Sequence, residues 1–247
     1  MALSRRQKLT IISLLFYWPT IFILSHIPIP QLVRQAGLSD KTLHFLVYMI
    51  LAFLLWFAVS PYRKVNWRGA AVWWVLGILV LYGVVDEVLQ RYVNRSCDVW
   101  DLLMDVAGAL TGLLLLSFFT FWSAALAVMG ATIFGLANLA RKNPADLLPV
   151  TSALFYVFAY AFFTLVWIRY LRLFPLSKPI KVKGLIESLA LPTALLVAVK
   201  LFSIILGRDF GAQDMFLSAI GAAAAVAAVY LPSFFRSKHD LSRSGRG

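Results

Sequence analysis

The 247-residue chain is 61% hydrophobic and only 14% charged, with a formal net charge of +12. A soluble domain of this size would have about a quarter of its residues charged, so the composition argues against a soluble fold and for a helical membrane protein. The basic residues sit in short segments beside apolar runs, where topology and anionic headgroups require them. No aromatic-interleaved basic surface accompanies them, so nucleic acid is not an expected partner. One cysteine, Cys97, excludes an intrachain disulfide framework and a multi-cysteine metal site.

Apolar runs of about 20 residues, the length that crosses a hydrocarbon core of about 30 Å, recur along the chain. The first, 9–26, follows Arg5, Arg6 and Lys8 and has no small-residue cleavage site, so it reads as a retained helix rather than a signal peptide. Further spans follow at 42–60, 70–92 and 100–119. The charge-free stretch 106–140 is too long for one crossing and predicts a tight turn near Thr120 to Ser123, with a fifth span at 122–140. Three more spans fall at 151–171, 184–206 and 214–234. The expected fold is all-α, a polytopic bundle of about eight transmembrane helices.

A cytoplasmic N-terminus places segments 1–8, 61–69, 169–183 and 235–247 inside. Those segments hold 15 of the 23 Lys and Arg residues, so the positive-inside rule predicts both termini in the cytoplasm. The expected location is the cytoplasmic membrane. Residues 235–247 read as a short disordered basic tail.

The two halves align at an offset of 111 to 113 residues. Thr20-Ile21-Phe22 falls on Thr132-Ile133-Phe134, and Leu43, Leu54 and Trp56 fall on Leu154, Leu165 and Trp167. Arg95, Asp101, Gly108 and Ala109 fall on Arg208, Asp214, Gly221 and Ala222. This pattern predicts two parallel four-helix repeats, 1–119 and 120–234, followed by the tail 235–247. Where the first copy has Lys41, His44, Glu87 and Gln90, the second has Ser152, Phe155, Lys200 and Ser203. The first copy therefore holds the expected site.

Four polar groups should meet at one depth, near the outer face under this topology. Asp40-Lys41-x2-His44-x3-Tyr48 places Lys41, His44 and Tyr48 on one face of the second helix. Asp86-Glu87-x2-Gln90-Arg91 ends the third. The loop Arg95-Ser96-Cys97-Asp98 follows, and Asp101-x3-Asp105-x2-Gly108-x3-Gly112 forms a stripe on the fourth. Glu87 and Asp105 lie about one turn inside their helices, where a charge costs roughly 2.5–3.5 kcal/mol on insertion scales. The alternative for both is a structural ion pair with Lys41, Arg91 or Arg95. Asp98 and Asp101 also suit helix capping. Gly108, Gly112 and their counterpart Gly221 suit close helix packing. A single histidine at this depth, with His26 on another segment, does not predict a metal site, and no cofactor is expected.

The ordered set Asp40-Lys41-x2-His44-x3-Tyr48, Glu87-x2-Gln90, Arg95, Asp101 and Gly108-Ala109-x2-Gly112 resembles the VanZ-like family over residues 9–118. Asp105 departs from that pattern, which often has asparagine there. The family is named for an accessory membrane protein of glycopeptide (teicoplanin) resistance. The resemblance therefore implies a role in the cell envelope without fixing a mechanism.

The leading reading is an envelope membrane protein that binds an anionic lipid headgroup, or a lipid-linked precursor, on the outer leaflet side. Lys41, Arg91 and Arg95 would pair with phosphate, while Glu87, Gln90, Asp101 and Asp105 would accept from sugar or peptide groups or orient the cations. Three alternatives stand beside it. In an enzyme on such a lipid, His44 would be general acid or base and Glu87 or Asp101 its orienter, though no nucleophile motif, two-histidine metal motif or P-loop is present. In a transporter, Glu87 and Asp105 would carry protons. An assembly subunit would have a membrane-protein partner and no chemistry of its own.

Overall fold

The computed structural model describes residues 5–26, 40–61, 63–93, 98–139, 149–173, 182–207 and 210–244. Among these residues it has eight α-helices and no strand: α1 Arg5–His26, α2 Asp40–Val59, α3 Ala70–Gln90, α4 Val99–Phe118, α5 Phe121–Leu139, α6 Pro149–Leu171, α7 Val182–Ile205 and α8 Ala212–Ser244. Seven of them, α2 to α8, are long and apolar enough to cross a membrane. In lipid only a helix or a closed barrel satisfies its own backbone, which is why such apolar runs fold this way. Helix α1 opens with Arg5, Arg6, Gln7 and Lys8, and the apolar stretch Thr10–Ile23 lies within it. Its 22 residues still rise about 33 Å, enough to span the core.

The side chains left outside the cores are apolar too. Leu154, Phe158, Phe162, Ile186, Leu201, Ile204 and Ile205 are all exposed, on α6 and α7. Soluble monomers rarely expose contiguous apolar surface of this extent, and lipid tails are its natural cover.

Two compact units divide the chain, Met1–Lys142 and Asn143–Gly247. The sequence placed this division at 119/120, from the repeat offset. Helix α5 instead packs within the first unit, where Gly135 gives way to the Leu46 side chain of α2 and Phe121 lies 4.1 Å from Phe57, ring centre to ring centre. The tail expectation also changes. Helix α8 runs on to Ser244, because between Pro232 and Gly245 the sequence has no glycine or proline to end it.

In the first unit α2 is the central helix. Its Leu51 and Ala52 are fully buried, and Met49, Trp56 and Phe57 nearly so. Helix α4 lies directly on it. A Cβ at Gly108 would collide with the Phe45 carbonyl oxygen and stand 2.9 Å from its carbon, and one at Gly112 would stand 2.6 Å from the Met49 oxygen. These two glycines let the backbones touch, the main source of helix association where the solvent is as apolar as the side chains. One end of the unit is tied by the α2–α3 loop. Val65 N–H donates to Leu116 O at 3.1 Å, Lys64 Nζ to Phe118 O at 2.8 Å and Trp67 Nε1 to Ser117 Oγ at 2.9 Å. The lysine meets the negative end of the α4 dipole.

The second unit repeats the close approach. Gly221 of α8 faces the Val157 carbonyl of α6, and a Cβ there would collide with its oxygen. Tyr156, Tyr160 and Phe163 of α6 are buried in this unit, and Ser188 Oγ and Tyr230 Oη lie 2.8 Å apart across α7 and α8.

Candidate functional site

The polar residues of the first unit gather at the end opposite the α2–α3 loop. There α2 and α4 begin while α1 and α3 end. Lys41 and His44 lie in the first turns of α2, Asp86, Glu87 and Gln90 in the last turns of α3, and Asp101 and Asp105 in the first turns of α4. His44, Asp86, Glu87, Gln90, Asp101 and Asp105 are all buried, and Gln90 and Asp105 are each only 1% exposed.

Three contacts bind this end together. His44 Nδ1–H donates to Asp105 Oδ1 at 2.8 Å, between two fully packed helices. The backbone N–H of Asp98 donates to Glu87 Oε2 at 3.0 Å, so the α3 glutamate holds the residue that starts α4. On the rim, Lys41 Nζ pairs with Asp98 Oδ2 at 3.1 Å. The other Asp98 oxygen accepts from Trp100 N–H at 2.9 Å, capping α4. The Trp100 N–H and the Lys41 ammonium hold the Asp98 carboxyl below its ordinary value of 3.8. A depressed carboxylate contributes stability above its unfolded value and loses it as pH falls through the folded one. Asp98→Asn should therefore flatten the low-pH limb of a melting-temperature profile below about pH 4, while leaving the neutral region's slope unchanged.

A second network reaches α1. Asp86 accepts from Ser25 Oγ and from Gln90 Nε2, both at 2.8 Å, with His26 Nδ1 3.7 Å away. An aromatic layer lies just inside, with Tyr48 stacked on Tyr82 and Tyr82 edge-on to Trp18. Gly83 leaves space there, since a Cβ would come within 3.0 Å of Asp105 Oδ2 and 3.4 Å of Tyr48 Oη.

The residues singled out in the sequence thus fall into three groups. His44, Glu87, Gln90, Asp101 and Asp105 are buried together, with Tyr48 as part of the inner wall. Lys41, Arg91 and Asp98 line the exposed rim. Arg95 and the side chain of Asp40 lie outside the described residues, and with Arg95 its expected pairing to Glu87 or Asp101. The group that orients His44 is Asp105, where the sequence pointed to Glu87 or Asp101. Ser25 and His26 were not among the expected site residues, and Asp86, although part of the expected Asp86-Glu87-x2-Gln90-Arg91 group, had no role assigned to it. An acid beside Glu87 in an apolar helix was the available signal for Asp86, and polar residues closing an apolar run were the signal for Ser25 and His26.

An apolar helical fold with this concentrated polar end defines a multi-pass membrane protein. Residues 5–120 match the family model described as VanZ/LLP1, so the segment that builds the polar end is a VanZ-like region. No curated protein and no solved structure matches the chain.

Proposed function

We propose that the polar end of the first unit binds the phosphorylated headgroup of an anionic lipid, or of a lipid-linked envelope precursor, from the outer leaflet of the cytoplasmic membrane. The observation that carries this reading is the joining of α2, α3 and α4 at one helix end by His44–Asp105, Glu87–Asp98 and Lys41–Asp98. Ionisable groups are expensive at that depth and mark functional sites by default. Lys41 and Arg91 on the rim offer charge to a phosphate, and Arg95 would add a bidentate fork.

Reconstitution in nanodiscs tests the reading. Wild-type protein should retain phosphatidylglycerol over phosphatidylcholine, and Lys41→Met with Arg91→Met should abolish the preference. Equal retention of both lipids by the wild type would contradict it.

The outer orientation is part of the same proposal and rests on the placement of Lys and Arg. A membrane-impermeant thiol reagent applied outside, with Cys97 replaced, should label Ala36→Cys and spare Asn66→Cys. The reverse pattern would move the site to the cytoplasmic face.

A second reading, an enzyme on such a lipid, draws on the buried His44–Asp105 pair, because a carboxylate on Nδ1 fixes the tautomer and orients the ring for proton transfer. We also propose that the second unit is a diverged copy of the first. Gly221 on Val157 parallels Gly108 on Phe45. Lys200 Nζ donates to Phe210 O at 2.7 Å, holding the chain before α8 as Glu87 holds it before α4.

A further inference from the structure

We propose that His44, Glu87 and Asp101 form a binding site for a divalent transition-metal ion, and that Asp105 is its positioning residue. One ligand atom from each of the three side chains lies within 4.8 Å of the other two, and all three residues are buried. They come from three different helices, so the cluster is a product of the fold and not of one acidic segment.

Two features of the geometry favour a metal over a plain ion-pair network. The first is His44. Metal-ligating histidines almost always donate the other ring N–H to a carboxylate or carbonyl, which fixes the tautomer and raises the ligand's basicity. His44 Nδ1 has that bond, 2.8 Å from Asp105 Oδ1, and Nε2 is then the ring's ligand atom. The second is support of the glutamate. Glu87 is held through Oε2 by the Asp98 N–H, and Asp101 sits in the first turn of α4. Ligands locked by a second layer of contacts hold their geometry without a metal.

Dimensions are compatible. Zinc bonds of about 2.0–2.2 Å place neighbouring ligand atoms roughly 3.3–3.5 Å apart in a tetrahedron. Ligand atoms that already lie within 4.8 Å of one another need only a small inward adjustment to reach that spacing. One nitrogen and two oxygens suit Zn2+ or Mn2+ better than Mg2+ or Ca2+, which prefer all-oxygen shells. Three protein ligands leave a coordination position open, as in sites where the metal meets an exogenous oxygen. The inference deepens the headgroup reading, on which it rests only for the ligand of that open position. A bound dication would let a phosphate oxygen approach a pocket that is rich in carboxylates.

The sequence expectation of no metal rested on finding one histidine per segment. The fold adds Glu87 and Asp101, 43 and 57 residues further along, to that histidine.

Metal binding is tested without lipid. Full-length protein, purified in detergent through a tag without histidines and stripped with chelator, is titrated with ZnCl2 and then MnCl2 by calorimetry, with metal content measured after desalting. The expected result is one ion per chain. Glu87→Gln and Asp101→Asn preserve side-chain shape and should each weaken binding at least tenfold. Asp105→Asn, which contributes no ligand, should weaken it about 10–100-fold. Glu187→Gln, at an exposed pair on α7, should change nothing. Folding of each variant is followed by circular dichroism. No stoichiometric uptake by folded wild-type protein overturns the proposal, as does unchanged affinity in both carboxylate variants. That outcome would leave the cluster closed by the chain's own cations. Equal retention of both lipids by the wild type in the nanodisc experiment, with metal uptake intact, would sink the headgroup reading alone.

Discussion

Replacing Gly108 with alanine should destabilise the first unit by about 3 kcal/mol or more, a large share of the 5–15 kcal/mol that holds a typical domain together. The added methyl meets backbone: the Phe45 oxygen, its carbon at 2.9 Å and Met49 N at 3.1 Å. A side chain could rotate away, whereas a helix carbonyl cannot, so α4 must lift off α2. Gly112→Ala should act in the same direction through Met49 O at 2.6 Å. Gly221→Ala should do the same to the second unit through Val157. Gly77→Ala is the internal control. Nothing lies within 4 Å of a Cβ there, and alanine is the better helix former by roughly 1 kcal/mol. Thermal unfolding in detergent separates these cases: Gly108→Ala well below wild type, and Gly77→Ala equal or slightly above. Equal melting of the two variants would show that the α2–α4 contact is looser than described.

The second large effect concerns the buried pair. His44→Leu should cost about 3–5 kcal/mol, since it leaves Asp105 buried without the ring that bonds it. Asp105→Leu should cost a similar amount for the mirrored reason. The double variant should recover most of the loss, because an apolar pair of similar volume is often as stable as a buried ion pair. If the double variant is as unstable as the singles added together, the two residues are not coupled and the 2.8 Å bond does not govern this site.

Much of the fold was legible because lipid imposes one simple rule. Apolar runs must be helices, and their spacing locates them; α5 begins at Phe121, beside the turn expected near Thr120 to Ser123. The stripe of Gly108 and Gly112 is readable for the same reason, since four-residue spacing puts both on one face. Less legible were features that depend on how helices rotate against each other. His44 and Asp105 are 61 residues apart, and nothing in either segment says that the Asp105 carboxylate, rather than that of Glu87 or Asp101, reaches Nδ1. The participation of α1 was hidden too. Ser25 and His26 look like the polar end of a span until α1 is placed beside α3 and Asp86. The extension of α8 was missed because basic, serine-rich sequence after a span reads as a tail, although it holds no helix breaker.

Whether the polar end is a binding site or only a structural knot is decided by comparing ligand binding with stability in the same variants. Glu87→Gln, His44→Ala and Arg95→Lys are placed in nanodiscs containing phosphatidylglycerol, and bound lipid is counted alongside the melting temperature. Arg95→Lys is the most selective of the three, because it keeps the charge and removes the planar fork. The account predicts loss of the anionic-lipid preference with melting temperatures within a few degrees of wild type for Arg95→Lys and Glu87→Gln. Retained lipid preference in all three folded variants would contradict it and leave the polar end as a structural element of an assembly subunit.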